Sequence, residues 1–185
     1  MIFGMTTFTF VHVVISLVGI ASGLVVLFGL LTGKWLDGWT ALFLLTTAAT
    51  SLTGFGFPFD HLLPSHIVGI ISLVALAVAA AARYVFHLAD PWRWVYVAGA
   101  VISLYFNVFV LIVQLFQKVP GIHALAPTQA EPPFAIVQGA VLVLFVVLGI
   151  VAAIRSRPAA MASRRASPFD GRNLSAAAAN SRPRR

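Results

Sequence analysis

Residues 8–31 read FTFVHVVISLVGIASGLVVLFGLL, a stretch without a single charged side chain. The hydrocarbon core of a bilayer is about 30 Å thick, and a helix needs about 20 apolar residues to cross it. Backbone amides find no water in hydrocarbon, so a crossing segment must be helical to pair them. The stretch therefore predicts a membrane-spanning helix over Phe8–Leu31. It lacks the basic flank and the cleavage pattern of a signal peptide, which favours a helix that is retained.

The chain repeats this pattern along most of its length. Hydrophobic residues make up 60% of the chain and charged residues 9%, whereas a soluble protein carries about 25% charged residues. Turn and interface residues separate the apolar runs, as Asp90-Pro91-Trp92 does. We therefore expect an all-α fold, a five-helix transmembrane bundle over residues 1–154. The four further predicted spans are Trp39–Phe57, Ile67–Leu88, Val95–Phe116 and Phe134–Ile154.

The C-terminal segment, residues 155–185, differs from the rest. It carries eight arginines and one acidic residue, Asp170, among Ala, Ser and Pro. Such a composition buries too little apolar surface to fold, so we expect a disordered basic tail. Arginines near a membrane attract anionic lipid headgroups by about 1 kcal/mol each. Nucleic acid is a disfavoured partner, because Phe169 is the only aromatic residue in the tail.

The positions of lysine and arginine predict the orientation of the bundle. These residues concentrate on the cytoplasmic side of membrane proteins. With five spans, Lys34, Arg83, Arg93 and the tail arginines share one side, and Lys118 stands alone on the other. We therefore expect the N-terminus outside and the C-terminus in the cytoplasm.

Four histidines fall at or near the predicted outer face. His12 lies about one turn inside the first helix and His66 begins the third, at similar depth. Three interpretations stay open: interfacial imidazoles bonded to backbone or water, a Zn or Cu site, and a b-type haem with His12 and His66 as axial ligands. The candidate metal or haem ligands are His12, His66, His61 and His123. The chain has no cysteine, which excludes thiolate ligands and disulfides.

Polar side chains inside the predicted spans form a second candidate site. Polar groups in a membrane are costly and often functional, yet they also join helices by hydrogen bonds. They therefore predict either bonds between helices or a polar cavity that opens outward beside the loop 118–133. The candidate ligand or cavity residues are Thr50, Thr53, Asn107, Gln114, Gln138 and Glu131.

Small residues predict where helices approach each other closely. Gly19 and Gly23 form a GxxxG pattern in the first span, and Ala75, Ala79 and Ala82 form a small face on the third. Such positions let helix backbones pack closely in a membrane. They favour bundle packing without establishing a dimer.

The sequence leaves several functions open. It contains no Gly-rich phosphate loop followed by Lys and no G-x-S-x-G elbow, so an enzyme is not the favoured class. Our leading hypothesis is a non-enzymatic accessory subunit or a binder of a small apolar ligand. Its partner would be another membrane protein or a second copy of the chain. The alternatives are a redox protein that holds haem b or a metal ion, and a small channel or carrier.

Three segments of this chain occur together in a recognisable combination. They are LYFNVFVLIVQLFQKVP at 104–120, APTQAEPPF at 126–134 and TGFGFPF at 53–59. In these segments the chain resembles a group of small bacterial inner-membrane proteins of uncharacterised activity. The resemblance covers roughly residues 8–154 and implies a multi-span protein of the bacterial inner membrane. It implies no activity, cofactor or site residue.

Overall fold

The computed structural model of the protein describes residues 6–57 and 64–156, with the backbone alone at 64–66. His61 and the tail from residue 157 lie outside the described residues. The described residues form six helices and no strand, which confirms the all-α prediction. The helices are α1 (Thr7–Leu31), α2 (Asp37–Gly54), α3 (Pro64–Ala80), α4 (Trp92–Lys118), α5 (Pro120–His123) and α6 (Pro132–Arg155).

Four of these helices are long and apolar enough to cross a membrane. They are α1, α4, α6 and the segment Ile67–Val85, which joins α3 to one following π-helical turn. The remaining predicted span, Trp39–Phe57, corresponds to α2, which has 18 residues and ends at Gly54. Its hydropathy is lower because it begins with Asp37 and contains five threonines and a serine.

The ends of three predicted segments require correction. The predicted third span continues as α-helix to Leu88, but α3 ends at Ala80 and a π-helical turn follows at Ala81–Val85. The connection 118–133, predicted as loop throughout, contains the single-turn helix α5. Pro120 starts this turn, because its fixed φ suits the first position of a helix. Arg155, predicted as the first residue of the tail, is the last residue of α6.

Helix α4 forms the centre of the bundle. It packs against α1, α2, α3 and α6, and α1 lies along α2. Helix α6 packs on α4 and α1 and is the least buried of the four apolar helices. In the described part of the chain, α1 and α3 each contact α2 and α4 but do not contact each other.

Glycines permit the closest contacts between these helices, as the small residues predict. A Cβ on Gly23 would lie 2.6 Å from Leu104 Cδ1. A Cβ on Gly99 would lie 2.8 Å from the carbonyl oxygen of Ala75 and 2.9 Å from the Cβ of Ala79. The predicted role of the GxxxG pattern and of the alanine face in bundle packing is therefore confirmed.

Several polar side chains are buried beside an apolar core, and large apolar side chains cover the outer surface of the bundle. Thr40, Thr47 and Asn107 are buried, whereas Leu45 on α2 is 71% exposed and Ile136 on α6 is 67% exposed. Soluble monomers rarely expose apolar patches larger than a few hundred Å². Large apolar side chains are exposed on the outer surface of every long helix, which suits a lipid environment.

Candidate functional site

Polar contacts to three neighbouring elements recur along α2 from one end to the other, and we call this set of contacts the polar seam. It consists of four pairs: His12–Thr53, Asn107–Thr47, Tyr96–Thr40 and Arg83–Asp37. From residue 37 to residue 53 a helix rises about 24 Å. The seam therefore extends over most of the thickness of the bundle.

His12 occupies the end of the seam near the N-terminus of α1. Its Nδ1 lies 2.7 Å from the hydroxyl oxygen of Thr53. That hydroxyl donates its single proton to the backbone carbonyl of Ala49, at 2.6 Å, so it accepts a bond from Nδ1–H of His12. The ring edge packs on Phe57, with 5.1 Å between ring centroids. None of the residues that the structure describes pairs with Nε2, which keeps a lone pair for a proton, a metal ion or a donor group.

The meeting of His12 and His66 stays a prediction, because the side chain of His66 lies outside the described residues. In the described part of the chain, α1 and α3 do not contact each other directly. His123 lies on α5 and donates from Nδ1 to the carbonyl oxygen of Phe116, at 2.9 Å. No group of three or more His, Asp or Glu side chains in the described ranges is arranged to hold a metal ion.

The middle of the seam joins α4 to α2. Asn107 donates its side-chain amide to the hydroxyl of Thr47 at 3.1 Å, and both residues are buried. A Cβ on Gly19 would lie within 3.6 Å of both side chains, so this glycine makes room for the pair. Nearby, α1, α2 and α4 enclose an apolar cavity of about 10 Å³, bounded by Gly23 and Leu104 among others. This cavity has room for about one water molecule.

The residues predicted to line one polar cavity lie in separate places. Thr53 pairs with His12, and Asn107 pairs with Thr47. The Thr50 hydroxyl is buried without a partner in the described part of the chain. Gln138 donates to the Phe109 carbonyl from the opposite side of α4, at 3.2 Å, and Gln114 is exposed. The structure thus distributes these side chains over different contacts.

Arg83 forms the other end of the seam, in the π-helical turn after α3. Its guanidinium pairs with Asp37 and lies 5.7, 5.9 and 5.3 Å from the ring centroids of Trp35, Tyr84 and Tyr96. We call these three rings the aromatic box. The Arg83 side chain is 8% exposed and that of Asp37 84%. Single π-helical turns often occur at functional sites. From the sequence, Arg83 indicates only the orientation of the bundle, and the aromatic box could not be predicted.

The loop 118–133 is attached to the far end of α4. Three side chains donate to backbone carbonyls that recur along one face of α4: Gln138 to Phe109, Gln129 to Val113 and His123 to Phe116. Ala126, a residue of this loop, is fully buried. The loop thus covers the end of the α4–α6 contact.

Glu131 fixes the conformation of that loop immediately before α6. Its Oε1 accepts bonds from the Thr128 hydroxyl at 2.9 Å and from the Thr128 N–H at 3.2 Å. Desolvation raises the pKa of this carboxyl, but bonds from its own backbone, Thr128 and Ala130 together outweigh that effect. The pKa of Glu131 therefore lies below its usual value.

A groove between α4 and α6 lies in the half of the bundle that contains Arg83. Its volume is about 460 Å³, and its lining is almost wholly apolar. The small residues Ala98, Gly149 and Ala153 create the space, and Trp94 and Tyr105 lie toward its two ends. This groove could not be predicted from the sequence, because it depends on which helices are neighbours.

Comparisons with known proteins give no match, whether with family models, curated proteins or solved structures.

Proposed function

We propose that the chain is a five-span protein of the bacterial inner membrane that acts as a non-enzymatic accessory subunit or binds a small apolar ligand. The observation that carries this proposal is the burial of polar side chains in the interior together with the exposure of large apolar side chains on the outer surface. Polar side chains on α2 pair with α1 and α4 in the interior, while Leu45 and Leu52 face outward with 71% and 61% exposure. Because an apolar exterior is stable against lipid, this distribution favours α2 as a fifth span.

Contacts at one end of the bundle support the count of five spans. Arg83 pairs with Asp37, Arg155 donates to the Leu31 carbonyl at 3.3 Å, and Arg93 donates to the Ser156 carbonyl at 3.4 Å. Arg83 thus joins the end of α3 to the start of α2, and Arg155 joins the end of α6 to the end of α1. Arg93 joins the start of α4 to the residue that follows α6. An 18-residue helix is about 27 Å long, close to the thickness of the hydrocarbon core.

The same contacts support an orientation with the N-terminus outside. Arg83, Arg93 and Arg155 lie at one end, and Lys118 ends α4 at the opposite end. Lysine and arginine concentrate on the cytoplasmic side. The arginine-rich tail follows Arg155, so it enters the cytoplasm, where its partners are anionic lipid headgroups.

Buried polar side chains form hydrogen bonds with each other, and this supports a binding or accessory role rather than catalysis. Asn107, Thr47, Tyr96 and Thr40 are buried and pair within the bundle. Hydrogen bonds between membrane helices contribute about 0.6 kcal/mol each on average. These pairs therefore have a sufficient structural role in joining the helices. The surface left for recognition is apolar and is largest along α6.

Purification in a mild detergent tests this proposal. We expect a stoichiometric partner protein, a self-oligomer or a bound apolar molecule, detected by native mass spectrometry and by light scattering on a sizing column. A lone monomer that carries nothing and turns over a substrate would contradict the proposal.

A second candidate function is a haem or metal site at the outer end of the seam. The bond from Nδ1–H of His12 to Thr53 supports it, because ligating histidines usually donate their other ring N–H to a neighbour. An absorption spectrum and metal analysis of the purified protein test this idea. A His12→Ala variant should lose the signal and a His87→Ala variant should keep it. Colourless, metal-free protein from haem- and metal-replete cells would remove this candidate.

A further inference from the structure

The groove between α4 and α6 is confined to one half of the bundle. On α4 its lining runs from Trp94 to Tyr105, and on α6 from Leu142 to Ile154. Eleven residues of helix rise about 16 Å. Half of a bilayer core of about 30 Å is about 15 Å. The groove therefore has the length of a single leaflet, on the side where Arg83 and Arg93 lie.

The width of the groove suits a hydrocarbon chain better than a helix. A helix with its side chains is about 10 Å across, so a length of about 16 Å fills roughly 1,250 Å³. The whole empty space of the groove is about 970 Å³. Helices that dock in membranes also favour long stripes of small residues, whereas Trp94, Ile102 and Leu142 line this groove.

The other half of the α4–α6 contact is closed. Gln138 donates to the Phe109 carbonyl, and Phe116 packs edge-on against Phe134, with 5.3 Å between ring centroids. The loop with Ala126 covers this end. An occupant of the groove can therefore enter only from the leaflet next to Trp94 or from the side.

An incompletely paired cation, Arg93, lies next to Trp94, which lines one end of the groove. The Arg93 side chain is 6% exposed, and its guanidinium lies 5.2 Å from the ring centroid of Trp94. It reaches the Asp90 carboxylate at 3.4 Å and the Ser156 carbonyl at 3.4 Å. Charge-assisted bonds are normally about 2.7–2.9 Å long. The Nε atom is buried and has no partner among residues 6–57 and 64–156.

We infer that this groove is a binding site for an anionic phospholipid of the cytoplasmic leaflet. One acyl chain lies between α4 and α6, and the phosphate lies at Arg93, beside the N-terminus of α4, whose dipole favours a negative charge. Asp90 partly neutralises Arg93 and limits the preference for anionic headgroups. The inference rests on the proposed orientation, which assigns this end of the bundle to the cytoplasm.

Titration of the full chain in mild detergent with phosphatidylglycerol or phosphatidylcholine, read by native mass spectrometry, tests the inference. We expect one phosphatidylglycerol to bind first and more tightly than phosphatidylcholine. Ala98→Leu fills the groove and should weaken both lipids by about tenfold, the loss expected when two methylenes are displaced. Ala77→Leu, at an exposed position on α3, is the matched control and should bind as the wild type does.

Headgroup variants separate the two parts of the site. Arg93→Gln should weaken phosphatidylglycerol more than phosphatidylcholine, because the choline cation of phosphatidylcholine already offsets its phosphate. The preference for phosphatidylglycerol should therefore shrink in Arg93→Gln and grow in Asp90→Asn. The tail is identical in all variants, so its own attraction to lipid cancels. Equal binding by Ala98→Leu and wild type would overturn the inference, as would loss of a dimer, rather than of lipid, in Ala98→Leu. Either result leaves the five-span proposal intact, because labelling of the two faces tests that proposal separately.

Discussion

The side-chain amide of Asn107 on α4 donates a hydrogen bond of 3.1 Å to the hydroxyl of Thr47 on α2, and both groups are buried. Asn107 lies near the middle of the 27-residue helix α4. This pair and the pair Tyr96–Thr40 therefore link the central helix directly to the most polar helix of the bundle.

A double-mutant cycle on this pair should measure that link. We expect Asn107→Leu and Thr47→Val to be coupled by about 0.6 kcal/mol, the average for hydrogen bonds between membrane helices. The free energy of unfolding, from titration with sodium dodecyl sulfate in mixed micelles, supplies the four values. A coupling energy of zero would show that the bond contributes nothing to the stability of the bundle.

Gly99, the single glycine of α4, should be hard to replace. A Cβ there would lie 2.8 Å from the Ala75 carbonyl oxygen, which is backbone and cannot rotate away. We expect Gly99→Ala to lower the free energy of unfolding by about 1–3 kcal/mol, as overpacking does. Gly139→Ala is the control, because its Cβ would meet nothing within 4 Å. Equal thermal midpoints for the two variants would contradict the α3–α4 contact.

The aromatic box should stabilise Arg83 more than its ion pair does. The partner carboxylate of Asp37 is 84% exposed, and exposed ion pairs contribute about 0–1 kcal/mol. We expect Asp37→Asn to change the free energy of unfolding by less than about 1 kcal/mol. Trp35→Leu should cost about 1–2 kcal/mol, because it removes a ring from the cation and from Tyr96.

Trp39→Leu is the control for the loss of a tryptophan, since Trp39 is 48% exposed on α2. Its unfolding in detergent should resemble that of the wild type. If Asp37→Asn proves more damaging than Trp35→Leu, the ion pair rather than the box holds Arg83.

The loop before α6 should lose order in acid because of Glu131. The pKa of this carboxyl is lowered in the folded loop, so the folded form favours the carboxylate. Its contribution is fully present above the usual pKa of glutamic acid and is lost as the pH falls through the lowered value. A ¹³C titration of the Glu131 carboxyl should give a midpoint below that of an unstructured peptide. Thr128→Val should raise this midpoint, and a wild-type midpoint at or above the peptide value would refute the bonding described.

The positions of the helices could be predicted from the sequence because hydropathy and turn residues fix them locally. The first span, predicted over Phe8–Leu31, forms the helix Thr7–Leu31. The fourth, predicted over Val95–Phe116, extends to Trp92–Lys118, because residues at the headgroup level can stay helical. The π-helical turn at Ala81–Val85 was not predictable from hydropathy, since it changes the hydrogen bonding of an apolar segment without changing its composition.

The neighbours of each helix could not be predicted in the same way. His12 and His66 share a depth in the sequence pattern, but α1 and α3 are not in contact in the described part of the chain. The sequence pattern puts Thr53 and His12 in different candidate sites, whereas in the structure 2.7 Å separates His12 Nδ1 from the Thr53 hydroxyl oxygen. Arg83 meets Trp35 from the α1–α2 connection only through the tertiary arrangement. Long-range packing decides all three relationships.

Cysteine labelling tests the central claim, a bundle that crosses the membrane five times with its basic end in the cytoplasm. The chain has no cysteine, so single substitutions at the exposed positions Thr7, Ala89 and Gln117 give a clean background. An impermeant maleimide applied to intact spheroplasts should label Thr7→Cys and Gln117→Cys, and should reach Ala89→Cys only after permeabilisation. Labelling of Ala89→Cys together with Thr7→Cys in intact spheroplasts would mean that α2 does not cross, and would contradict the account.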